Sequence, residues 1–172
     1  MIDRIMRVWT RVETVLIGCL IVVALAIFLG GAVLRAVAPA QAVDWAVEVS
    51  LYCVIWATAL SGSSLVAEGR HIRTEIAIML LPPAVRKAAG WLVVALVAAF
   101  AVCMTIFGWQ AVDFALLLDE RSASTLRVPQ AWAVFLALPV AMALILGRVA
   151  LMLLAGDRPF ADEPEPVRRK VS

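Results

Sequence analysis

Residues 44–83 read DWAVEVSLYCVIWATALSGSSLVAEGRHIRTEIAIMLLPP and carry the most distinctive polar side chains of the chain. The segment opens with Asp44 and Trp45, continues through residues 49–67 without an ionisable side chain, and then becomes charged. It contains the single His and the single Tyr of the 172 residues. A charge-free stretch of this length is typical of a helix that crosses the ~30 Å hydrocarbon core of a bilayer.

Three further stretches lack ionisable side chains, at residues 14–34, 88–112 and 128–147. The whole chain is 64% hydrophobic and only 16% charged, whereas an average soluble domain is about half apolar and about a quarter charged. A soluble core of this size could not hide so much apolar surface. The sequence therefore predicts an all-α membrane protein with four transmembrane helices.

Three regions follow from this division. Residues 1–13 form a basic cytoplasmic lead-in, in which Trp9 suits the headgroup depth. Residues 14–155 form the four-span membrane domain. Residues 156–172 are charged and rich in helix breakers, and they are predicted to be a disordered cytoplasmic tail.

The connection between the second and third spans is predicted to contain a short interfacial helix. Gly69 can end the second span, and Thr74 can cap a new helix. Apolar residues then recur at helical spacing over a length too short to cross the membrane. They are Ile72, Ile76, Met79 and Leu80. Pro82 stops this helix, and Pro83 suits the first position of the third span.

The distribution of basic residues predicts the orientation. With four spans, 12 of the 15 Lys and Arg lie on the side that carries both termini and the central connection. Lys and Arg are enriched in cytoplasmic loops, so both termini are expected in the cytoplasm. One alternative stays open, because the basic start, the apolar run and A-V-A at 36–38 or A-Q-A at 40–42 also resemble a signal peptide with its cleavage site.

Two polar features of the spans each allow two interpretations. Trp45, Tyr52, Trp56 and Ser63 lie on one face of a helix, which can pack within this chain or against another subunit. Asp113 lies near the outer end of the third span. It is either hydrated at the surface or functional, as ionisable groups in membrane spans often are.

No catalytic or cofactor site is predicted. The chain lacks the glycine-rich phosphate-binding motifs, and its single histidine excludes H-E-x-x-H. The middle of each apolar stretch lacks the acid, base or histidine that an ion pump needs. No cluster of basic residues with aromatics suggests a nucleic-acid partner. We expect neither enzymatic activity nor a bound metal or cofactor.

The central stretch resembles the small membrane subunit of tripartite ATP-independent periplasmic (TRAP) transporters. Trp45 and Glu48 match an outer W-x-x-E pair, and Trp56 and Gly62 match a Trp and a small-residue patch in the second span. Residues 69–75 (GRHIRTE) match the motif that ends this span, and Leu81-Pro82 follows it. Later, Pro129 to Trp132 resembles P-x-x-W.

The resemblance implies a partner and a role. Such a subunit supports a large permease, which carries the substrate and ion sites. A periplasmic solute-binding protein delivers a small, usually carboxylate-bearing solute. The chain would then be a multi-pass protein of the bacterial inner membrane that widens the static part of the transporter. The residues proposed to serve assembly are Trp45, Glu48, Trp56, Arg70, His71 and Trp132.

Two other functions remain as alternatives. The chain could anchor a redox complex in the membrane, with His71 as the only possible haem ligand. It could also be a small self-assembling exporter, but that class requires a midplane Glu in the first span. Glu13 instead lies at the inner edge of that span.

Overall fold

The computed structural model describes residues 2–67 and 83–155. Within them lie four long α-helices: α1 (Ile2–Val37), α2 (Ala46–Ala67), α3 (Pro83–Leu117) and α4 (Ala137–Ala155). A 3-10 turn (Pro39–Gln41) follows α1, and a π-helical segment (Ala131–Phe135) precedes α4. The only extended pairing in the described ranges is an isolated bridge between Arg121 and Pro129.

All four helices are long and apolar enough to cross a membrane, which confirms the predicted all-α, four-span class. Prolines mark two helix ends, and that of Pro83 was predicted. Pro39 follows the end of α1, since a proline disfavours the helical conformation of the residue before it, and Ala38 has left the helix with a φ of −137°. Pro83 is the first residue of α3, where its missing N–H costs no hydrogen bond.

Helix α1 is one continuous element of 36 residues, about 54 Å long at 1.5 Å per residue. The predicted lead-in at residues 2–13 is therefore part of the same helix as the first span. The predicted interfacial helix lies outside the described residues, as do Arg70 and His71 before it and the predicted disordered tail.

The four helices pack in the order α1, α2, α4, α3, so α1 and α3 lie at the two edges of the bundle. We call the end with residues 38–45 and 118–130 the loop end, and the end with Glu13 and Arg148 the terminal end. Two apolar clusters join α3 to the last span, one through α4 and one through the π-helical segment. One contains Val94, Ala101, Ile145 and Val149, and the other, at the loop end, contains Val112, Ala115 and Ala131.

Small residues permit the closest helix approaches. A Cβ atom added to Gly31 of α1 would lie 2.6 Å from the Cβ atom of Ala46, at the start of α2. A Cβ atom on Gly108 of α3 would lie 2.9 Å from the Cδ atom of Pro139 in α4. Helices in lipid associate largely through such close packing, so these two glycines set the spacing of two helix pairs.

The predicted face of α2 packs inside the bundle. Ala57 and Ser63 are buried, and a Cβ atom on Gly62 would meet the Cδ1 atom of Ile145 at 3.8 Å. Of the four residues on this face, Ser63 therefore packs within the chain, whereas Trp45, Tyr52 and Trp56 are half-buried. Large apolar side chains instead point outward along the spans, as expected for surfaces that meet lipid or a partner.

Candidate functional site

Four of the six predicted assembly residues lie in the described ranges, all towards the loop end. Trp45 and Glu48 lie where α2 begins and are half-buried, and Trp56 is half-buried within α2. Trp132 lies in the π-helical segment and is 52% exposed. The structure does not gather these four side chains into one site, and Arg70 and His71 lie outside the part that it describes.

The outer connection between α3 and α4 is tied to the start of α2 through Asp44. The backbone N–H of Thr125 donates to Oδ2 of Asp44 at 2.9 Å, and the Thr125 hydroxyl donates to Oδ1 at 2.7 Å. The side-chain hydrogen bond from Thr125 is the main cause that lowers the pKa of the Asp44 carboxyl from its usual 3.8. Because both donors favour the charged form, the tether depends on an ionised Asp44.

We predict that this tether survives until the pH falls below 3.8. A carboxyl with a lowered folded-state pKa stabilises the fold above its unfolded-state pKa, and this contribution disappears as the pH falls through the folded value. A carboxyl-carbon NMR titration should therefore place the Asp44 midpoint below 3.8. In Thr125→Val, which keeps only the backbone donor, the midpoint should move back towards that value. An unchanged midpoint would contradict the assignment of Thr125 as the main cause.

Within the same connection, two buried serines stabilise the turn. The backbone N–H of Ser122 donates to the Val128 carbonyl at 2.9 Å, and Val128 N–H donates to the Ser122 hydroxyl at 3.2 Å. The Ser122 and Ser124 hydroxyls lie 3.1 Å apart. Arg127 has a φ of 47°, a left-handed conformation that is uncommon for a residue with a side chain.

An open groove of about 590 Å³ lies between this connection and the start of α2. Its lining includes Glu48, Tyr52, Ser124 and Gln130. The Tyr52 hydroxyl donates to the Glu48 carboxylate one helical turn before it. Tyr52, which the sequence placed on one face of α2, thus forms a local hydrogen bond with Glu48 beside the groove.

Trp56 connects α2 to the irregular start of the last span. Its indole Nε1–H donates to the Ala133 carbonyl at 3.0 Å. Ala133 lies in the π-helical segment, six residues before Pro139. Helix irregularities in membrane spans are tolerated when neighbouring groups satisfy the freed backbone atoms, so Trp56 acts as a packing residue of this chain.

A buried ionic cluster at the terminal end was missed by sequence reasoning. Arg148 of α4 is 2% exposed and Glu13 of α1 is 4% exposed. The Arg148 Nη2 donates to Oε2 of Glu13, forming an ion pair between the first and last spans. Ser63 of α2 is fully buried, and its hydroxyl donates to the other carboxylate oxygen, Oε1. One carboxylate therefore joins three helices.

Two further side chains of α1 complete this cluster. The Trp9 indole Nε1–H donates to Oε1 of Glu13 at 2.6 Å, and the Arg148 guanidinium lies over the Trp9 ring at 5.4 Å from its centroid. Arg148 Nη1 donates to the Thr10 hydroxyl at 3.1 Å. Trp9, predicted for the headgroup region, is a member of this cluster, which we call the terminal cluster (Trp9, Thr10, Glu13, Ser63 and Arg148).

The terminal cluster can hold α1, α2 and α4 together. Glu13 accepts one cationic and two neutral donors, and burying a charge is tolerable only when it is paired and hydrogen-bonded. A signal for it existed in the sequence. Glu13 and Arg148 are the charges that close the apolar stretches 14–34 and 128–147 at the same end of the bundle, and they have opposite signs.

In the described ranges, no group of three or more His, Cys, Asp or Glu side chains could hold a metal ion.

Asp113 is exposed on α3, as is Gln110 one turn before it. The three cysteines are free: Cys19 and Cys103 are exposed, and Cys53 is half-buried.

Comparison with protein families gives one informative match. Residues 23–158 match the model of the tripartite ATP-independent periplasmic transporters, DctQ component. The chain belongs to this family. The match covers well over half of the chain and includes all of α2, α3 and α4. The comparisons with curated proteins and with solved structures give no match.

Membership in the DctQ family confirms the resemblance that the sequence suggested. The protein is a small membrane subunit of a TRAP transporter, a multi-pass component of a tripartite system. The family is a transporter component.

Proposed function

We propose that this DctQ subunit is a scaffold that supports a large permease while the permease imports a solute with an ion gradient. The observation that carries the proposal is the placement of the two charged side chains that are buried among the described spans. Glu13 and Arg148 are buried against each other and against hydrogen-bonding partners. A carrier needs ionisable or polar groups that can meet its cargo, and these two are already engaged.

The orientation and setting of the scaffold belong to the same proposal. The excess of Lys and Arg at the terminal end favours the cytoplasm for both termini. The loop end, with its Asp44–Thr125 tether, would then face the periplasm, where a solute-binding protein delivers the substrate. We propose a small carboxylate-bearing solute and the bacterial inner membrane. The six predicted residues Trp45, Glu48, Trp56, Arg70, His71 and Trp132 remain candidates for assembly.

The test is co-purification. A tag on this chain, co-expressed with the large permease encoded beside it, is expected to retain the permease in mild detergent in an equimolar ratio. An unrelated four-span protein carrying the same tag serves as the control for adsorption. If the chain is purified folded and never retains the permease, the scaffold function is wrong.

A further inference from the structure

The two edges of the bundle expose different polar groups. Helix α1 exposes Arg35 in its last turn, where the long side chain can reach the headgroups. From residue 14 to residue 34, α1 carries no ionisable side chain, and its outward side chains include the apolar Val22 and Phe28, which are 67% and 50% exposed. This edge suits lipid. Helix α3, at the other edge, exposes Asp113 and Gln110 one turn apart.

Asp113 lies inside the apolar part of α3. It precedes the last residue of the helix, Leu117, by four residues, which is about 6 Å along the axis. Beyond it, Leu116, Leu117 and Leu118 are 44%, 83% and 55% exposed. Apolar side chains thus continue for a full turn past the carboxylate, towards the loop end. An acid at this depth that faces hydrocarbon is unfavourable, so the position calls for a polar neighbour.

The described part of this chain provides no such neighbour. Glu13 shows how the chain treats an acid that it satisfies itself, with Arg148, Ser63 and Trp9 around one carboxylate. Asp113 makes no hydrogen bond or ion pair with the residues that the structure describes. Apart from Gln110, its surroundings on the surface are apolar, with Trp109 53% exposed and Phe114 62% exposed.

The face of α3 that continues from Asp113 towards the terminal end is apolar, and its deeper part consists of small residues. Trp109, Ile106 and Val102 precede it by 4, 7 and 11 residues and therefore share its face. Deeper in the membrane the same face carries Ala95 and Ala99, both exposed. Small residues let a neighbouring helix approach closely in lipid.

We propose that the α3 edge is the surface that docks on the large permease, through a transmembrane helix that presents a basic side chain to Asp113. The occupant is chosen by charge complementarity, since a lysine or arginine is the group that satisfies a carboxylate at this depth. The inference rests on the proposed scaffold function and deepens it by naming the docking edge. Gln110, one turn away, lies beside the same partner helix.

The experiment uses the full chain, tagged and co-expressed with the large permease. Asp113→Leu is expected to retain about tenfold less permease in detergent, because it removes one partner of a charge pair. Leucine is favourable in lipid, so this variant should insert and fold by itself. Glu120→Leu, an acid change in the adjacent connection, is the matched control and should retain the wild-type amount.

A steric pair of variants locates the edge independently. Ile106→Trp adds bulk to the proposed interface and should also lower permease retention, whereas Val22→Trp introduces the same side chain, with a larger increase in volume, at the α1 edge and should not. A photo-reactive residue at position 106 should cross-link to the permease. Cross-linking to a second copy of this chain would overturn the inference.

The outcomes separate this inference from the scaffold function. If the wild-type chain retains the permease and Asp113→Leu retains just as much, Asp113 is hydrated at the surface and the docking edge is wrong, while the scaffold function stands. If the wild-type chain retains no permease, the scaffold function itself fails, and the docking edge fails with it.

Discussion

Replacing Arg148 by methionine is expected to destabilise the protein by about 3–5 kcal/mol, because the Glu13 carboxylate stays buried without its cationic partner. Glu13 is 4% exposed in the folded protein and pairs with the Arg148 guanidinium. Unfolding of the purified subunit in detergent, followed by tryptophan fluorescence, measures the change. Trp9 lies in the cluster itself, so its emission should report the loss.

The matched control is an ion pair at the other end of the bundle. Arg121 pairs with Asp119 at 3.0 Å, with side chains that are 43% and 71% exposed. Exposed pairs contribute about 0–1 kcal/mol, so Arg121→Met should change stability little. Equal losses from Arg148→Met and Arg121→Met would contradict the role of burial.

A double variant distinguishes the loss of the ion pair from the cost of leaving the Glu13 charge buried without a partner. Glu13→Gln with Arg148→Met removes both charges, and the glutamine oxygen can still accept hydrogen bonds from Ser63 and Trp9. Replacing a whole buried pair by uncharged groups is often close to neutral, so the double variant should recover more than half of the stability that Arg148→Met loses. No recovery would show that the loss arises elsewhere in the cluster.

Gly31→Ala is the second substitution expected to have a large effect. The new Cβ atom would lie 2.6 Å from the Cβ atom of Ala46, which is fixed to the backbone of α2 and cannot rotate away. Helices α1 and α2 must therefore separate at the loop end, and overpacking of this kind costs about 1–3 kcal/mol. Thermal unfolding in detergent measures the change.

The adjacent glycine is its control. A Cβ atom on Gly30 meets nothing within 4 Å. Gly30→Ala should therefore leave stability unchanged or raise it by up to about 1 kcal/mol, since alanine favours a helix more than glycine does. If the two alanine variants behave alike, the close approach of α1 and α2 at Gly31 is not a constraint on the bundle.

The spans were predictable because a helix that crosses the hydrocarbon core needs about 20 consecutive residues without charge. Three of the four helices contain a whole charge-free stretch, and the fourth stretch runs from the outer connection through the π-helical segment into α4. Pro39 and Pro83 mark a helix end and a helix start through their local geometry. The packing of the small residues of α2 was less certain. Periodicity places Ser63 on one face with Trp45, Tyr52 and Trp56, but it does not say which helix covers that face.

The terminal cluster escaped prediction for a physical reason. Spans were defined by the absence of charge, so Glu13 and Arg148 were assigned to the boundaries of the first and last spans. The two residues are 135 positions apart, and only the packing order of the helices brings them together. Opposite charges at the same end of two spans were the available signal. The hydrogen bond from Trp56 to the Ala133 carbonyl was not predicted either. It depends on the π-helical segment around Ala133, and the presence of Pro139 alone does not predict that segment.

Uptake into vesicles tests most directly whether this chain supports transport and does not carry it out. Vesicles would contain the large permease with this chain, the permease alone, or this chain alone, and each would receive the partner binding protein loaded with its own solute. The account predicts gradient-driven uptake when both membrane subunits are present, and none with this chain alone. Uptake or ion flux catalysed by this chain alone would contradict it.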